Sequence, residues 1–71
     1  MSPTLLRGVL ARNIRQQAKK KGVALNRLAD LAGVSRSQLY DVLRKRTAIS
    51  VDWIAKLAKE LGVEPWKLLV P

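Results

Sequence analysis

The sequence contains no cysteine and no histidine. Without cysteine there is no disulfide and no thiolate metal site; without histidine, the commonest metal ligand and the usual general base near neutral pH are missing. The hydroxyls and lysines that remain have no base beside them in sequence, so the chain reads as a non-enzyme, and no metal or cofactor is expected. Acidic residues are scarce: five Asp and Glu stand against 14 Lys and Arg, a net charge of +9 that implies an anionic partner, nucleic acid before others. No apolar run is long enough for a secretory core or a membrane span, the opening MSPTLLRGVLARNIR included, so a cytoplasmic, nucleoid-associated protein is expected. Seventy-one residues support one small core and no deep active-site cavity.

What is present is helical periodicity. Ser2 and Pro3 suit an N-cap and a first helical residue. Leu6, Leu10, Ile14 and Ala18 recur every fourth residue with Val9 beside them, while Arg7, Arg12, Arg15 and Lys19 lie mostly off that stripe. Lys19, Lys20 and Lys21 then meet Gly22, a combination that suits the last turn and C′ position of a helix. The lysine run has two compatible readings, a solvated helix end and a phosphate contact.

Next, Leu25, Leu28, Ala29 and Ala32 form one helical face, and Gly33 stops it. Ser35 is an N-cap candidate for a helix whose inward stripe is Leu39, Val42 and Leu43 and whose other face is Ser37, Tyr40, Asp41 and Arg44. A basic loop from Lys45 to Ile49 leads to a second cap, Ser50. Ile54, Leu57, Ala58 and Leu61 face inward after it, with Val51 one turn earlier, and Gly62 ends the helix. Pro65 opens a short last helix carrying Trp66, Leu68 and Leu69. The pattern predicts one all-α domain over residues 1–71, with helices at about 3–21, 24–32, 36–44, 51–61 and 65–69 and no strand.

Asn13-Ile14-Arg15, Lys21-Gly22, Leu28-Ala29, Gly33-Val34-Ser35-Arg36, Leu39, Val42 and Leu57-Ala58-Lys59-x-Leu61-Gly62-Val63 stand in a specific order and spacing. This pattern, over nearly the whole chain, resembles the phage-repressor and Cro-type helix-turn-helix family, the XRE family, with its compact five-helix lambda-repressor-like fold. In such a motif Ala29 is small where two helices cross, Gly33 takes a left-handed turn and Val34 plugs the corner.

The resemblance implies a sequence-specific, double-stranded-DNA-binding transcriptional regulator of bacterial or phage type, with residues 36–44 in the major groove. Arg36, Ser37 and Asp41 match base-reading positions, with Tyr40 beside them. Arg36 suits guanine O6 and N7 or a phosphate; Asp41 either accepts from cytosine N4 or orients Arg44 at i+3; Tyr40 either touches DNA or packs over the end of the preceding helix. Asn26, Arg44, Lys45, Arg46, Thr47 and Ser50 are the phosphate candidates. Most of the family binds as two-fold dimers, so a palindromic operator and a homodimer are implied, with Trp53, Trp66, Leu69 and Val70 as interface candidates because they are apolar groups a small core need not cover; the alternative reading of the two tryptophans is that they cap the core.

Three positions depart from the family: Leu25 stands for a phosphate-contacting, helix-bracing glutamine, Leu43 for an acidic residue that pairs with an arginine of the first helix, and Lys45 for a glycine. Alternative functions on the same fold are an antitoxin or restriction-modification controller, and a protein-interaction adaptor. Against the adaptor stand the net charge of +9 and the basic cluster at residues 44–46.

Overall fold

Most of the described helix ends fall where a capping serine or a left-handed glycine places them. The computed structural model describes residues 3–44 and 49–71, so the Ser2 cap and the loop residues Lys45, Arg46 and Thr47 lie outside the described residues. The elements are α1 (Pro3–Lys21), α2 (Leu25–Ala32), α3 (Arg36–Leu43), α4 (Val51–Leu61) and a 3-10 turn, η1 (Pro65–Leu69). The expected five-helix order is present, with the last element wound as 3-10. Two boundaries are shorter than expected. Ala24 is extended, at φ −67° and ψ 149°, and precedes α2 as its cap. Arg44 closes α3 with its N–H on the Tyr40 and Val42 carbonyls.

Three helices stop in one way. After α2, Gly33 lies at φ 71°, and its N–H and that of Val34 reach back to the Asp30 and Ala29 carbonyls at 3.3 and 3.0 Å. Gly22-Val23 makes the same pair of bonds to Lys19 and Ala18, and Gly62-Val63 to Lys59 and Ala58. These are Schellman stops, in which a left-handed residue allows two orphan carbonyls to be satisfied. The valines are half-buried against the core, and Ala18, Ala29 and Ala58 are buried.

The core gathers Leu10, Ala11, Ile14 and Ala18 of α1, Leu28 and Ala29 of α2, Leu39, Val42 and Leu43 of α3, Trp53, Ile54, Leu57, Ala58 and Leu61 of α4, and Leu68 of η1. Leu43, where the family pattern expects an acid, is core. At the base, α1 packs on η1 through Asn13, whose Nδ2 donates to the Leu68 and Val70 carbonyls, both at 2.8 Å. Lys21 Nζ donates to the Glu60 carbonyl at 2.9 Å, joining the end of α1 to the last turn of α4.

Periodicity placed two residues wrongly. Leu6 is 39% and Val51 77% exposed. With Arg7, Leu10, Ile49, Ile54 and Leu69 they line an apolar groove of about 320 Å³ between the starts of α1 and α4. An apolar period marks a face, and no described element closes over this stretch of it. The interface expectation for Trp53 is also corrected: it is 5% exposed, because it lies on the α4 face that carries Ile54 and Leu57 into the core. A residue occupied in packing has no surface to offer a second chain.

Candidate nucleic-acid interface

Two short helices joined by a three-residue turn present one polar surface. Ala29 is fully buried, so its lack of a larger side chain lets α2 and α3 approach, and Val34 is half-buried in the corner. Ser35 Oγ accepts the Gln38 N–H at 3.3 Å and starts α3. Leu39, Val42 and Leu43 turn inward, which leaves Arg36, Ser37, Gln38 and Arg44 exposed and Tyr40 and Asp41 half-buried.

Of the expected site residues, Arg36, Ser37, Tyr40, Asp41 and Arg44 share the outward face of α3, and several are already paired. Arg36 Nε donates to Asp30 Oδ1 at 3.0 Å and Nη2 to Oδ2 at 2.5 Å, a two-pronged ion pair across the turn. The hydrogen bonds from Arg36 hold the Asp30 carboxyl below its ordinary value, helped by the charges of Arg36 and Arg27 and opposed by desolvation. The same bonds raise Arg36. Both groups are thus fully charged at neutral pH.

A second chain of contacts runs along the face. Tyr40 donates its hydroxyl to Asn26 Oδ1 at 2.8 Å, so of the two readings of Tyr40 the structure shows the contact with α2. The Arg44 guanidinium lies 5.8 Å from the Tyr40 ring centroid, and its Nη1 lies 4.0 Å from Asp41 Oδ1. Asn26 thus braces α3 from the first turn of α2, next to Leu25, which packs against the core. Ser50 Oγ accepts the Trp53 N–H at 3.1 Å and caps α4; its own O–H remains able to donate. Lys45, Arg46 and Thr47 lie outside the described residues.

Two further polar residues stand beside these. Gln38 sits exposed in the first turn of α3, a side chain suited to adenine N6 and N7; its position between Ser37 and Leu39 was signal enough. Asp30 gave no signal, because six residues and a turn separate it from Arg36. Of the remaining interface candidates, Trp66 is 58% and Val70 48% exposed, while Leu69 is half-buried against the core. Lys67 Nζ lies 5.7 Å from the Trp66 ring centroid.

No helix among the described residues is long and apolar enough to cross a membrane. Comparison with known proteins places this geometry. A hypothetical transcription factor of Neisseria meningitidis serogroup B is 41% identical over 66 residues, which cover 93% of this chain and 62% of that protein, so the chain spans less than two thirds of its relative. The crystal structure of the hypothetical transcription factor NHTF from Neisseria superposes with a TM-score of 0.90 at 38% identity, covering 100% of this chain and 82% of that one. The restriction-modification controller protein C.AhdI from Aeromonas hydrophila superposes with a TM-score of 0.81 at 32% identity, covering 87% of this chain and 94% of that one. The helix-turn-helix family model HTH_3 matches residues 14–65, from the core of α1 through the start of η1, and the chain belongs to that family.

Proposed function

We propose that this chain is the DNA-reading unit of a bacterial or phage transcriptional regulator, with α3 entering the major groove of double-stranded DNA. The observation that carries the reading is the α2–turn–α3 surface: a buried inner face and, outward from the N-terminal end of α3, Arg36, Ser37, Tyr40 and Asp41. Arg36 reads a guanine, Ser37 tolerates several bases, and Asp41 either accepts from cytosine or holds Arg44. Tyr40 acts at the groove edge through its ring, since its hydroxyl is engaged by Asn26. Phosphates are held by Asn26, Arg44, Lys45, Arg46, Thr47 and Ser50. Binding of this kind places the protein in the cytoplasm at the nucleoid, and it requires no catalysis.

The longest extent of the molecule is 29 Å, against roughly 34 Å between half-sites one helical turn apart. One copy therefore covers one half-site. We propose, as the family resemblance implies, a homodimer on a palindromic operator, with Trp66, Leu69 and Val70 as its apolar contacts. A second reading, a restriction-modification controller, is favoured by the match to nearly the full length of C.AhdI.

Selection from randomised duplexes tests the proposal. A preferred sequence should bind at least about a thousandfold more tightly than random duplex at about 150 mM salt. Equal affinity for both would overturn base reading.

A further inference from the structure

Arg36 is held before any DNA arrives, and the way it is held favours one use of it. A guanidinium offers two hydrogen-bonding edges: the side edge, Nε with one Nη2 proton, and the end edge, Nη1 with the other. Asp30 takes the side edge with both of its oxygens. The end edge, two parallel N–H groups, stays open and matches guanine O6 and N7. Both side chains are about half exposed, 57% and 51%, so the pair sits on the surface and not in the packing.

We propose that Asp30 is a positioning residue for base reading: it fixes the plane of Arg36 and directs the end edge of its guanidinium to a guanine. This rests on the reading of Arg36 as a base contact. The chemistry behind it is loss of freedom. A free arginine on a cationic surface swings among many rotamers, and any phosphate within reach competes for it. A carboxylate anchored on α2 removes those rotamers in advance and occupies the edge a phosphate would otherwise take. The same carboxylate repels the DNA backbone, so Asp30 weakens binding to every sequence while sharpening discrimination at one position. These opposed effects separate positioning from mere support of the fold.

The experiment measures affinity of the full chain for its selected duplex, for duplexes changed at each base pair in turn, and for random duplex, at one salt concentration. Arg36→Ala should lose roughly ten- to a hundredfold discrimination at a single base pair. Asp30→Ala should lose several-fold discrimination at that same base pair and at no other, while its affinity for random duplex rises. Added to Arg36→Ala, it should change discrimination no further. Asp30→Asn, which keeps the shape but not the charge, should fall between Asp30→Ala and wild type. If Arg36→Ala shows its single-position loss but Asp30→Ala leaves that position unchanged, sharpens it, or blunts all positions alike, the role of Asp30 is overturned while base reading stands. If Arg36→Ala itself changes no position, base reading by Arg36 fails and takes the role of Asp30 with it.

Discussion

Asn13 shows how much a single residue can carry in a chain this small. Its side chain is 7% exposed, and its two amide protons satisfy the Leu68 and Val70 carbonyls at either side of the end of η1. The Arg12 guanidinium donates to its Oδ1 at 3.2 Å, so the amide is used on both sides. Buried polar groups stranded without partners cost about 1–3 kcal/mol each, more than an ordinary hydrogen bond contributes. Asn13→Ala should therefore lower unfolding free energy in urea by about 1–3 kcal/mol. Asn13→Asp should lower it further, because a carboxylate would face two carbonyl oxygens without a proton to share. The sequence marks Asn13 as part of a family pattern and not for this role, because its partners lie 55 and 57 residues away.

At the scale of the element, three of the four α-helices among the described residues are closed by one device, Ala-x-x-x-Gly-Val, at Ala18 to Val23, Ala29 to Val34 and Ala58 to Val63. The glycine turns left-handed, the valine returns to cover the core, and the alanine, five residues before the valine, leaves room for it. Everything in this device is local, which is why helix ends were legible from the sequence almost to the residue. Gly33 isolates its energetics: at φ +71° an added Cβ would meet nothing within 4 Å, so substitution introduces backbone strain and no clash. Gly33→Ala should lose about 1–2 kcal/mol in denaturant titration with an unchanged slope. Gly33→Asn should lose less, since asparagine visits the left-handed region more readily. The starts are set by equally local groups, Ser35 and Ser50, each accepting an N–H three residues on.

For the whole molecule, charge is the dominant variable. With a net charge of +9, affinity for any duplex should fall steeply with salt, in proportion to the number of phosphates neutralised. Arg44→Gln should reduce the slope of log affinity against log salt by about one unit, while the ranking of sequences stays as in the wild type. A changed ranking would move Arg44 from phosphate clamping to base reading, by way of its contacts with Asp41 and Tyr40. The surface also has an apolar part, at the groove bounded by Leu6, Val51 and Leu69 and at the exposed Trp66 and Val70. The sequence marked Trp53 for that surface as readily as Trp66, because a tryptophan's type says that it is apolar and not which way its helix faces.

The sequence by itself determined the helices, their order, their stops and caps, the inward stripes of α2 and α3, and hence the helix-turn-helix and its family. All of these depend on interactions within a few residues, where spacing is geometry. Only the tertiary structure decided that Trp53 is core and Val51 is surface, that Asn13 ties down the end of the chain, that Asn26 braces Tyr40, and that Asp30 grips Arg36. Each of these depends on how one helix is rotated against another, which is set by packing of the whole core and leaves no period in the sequence.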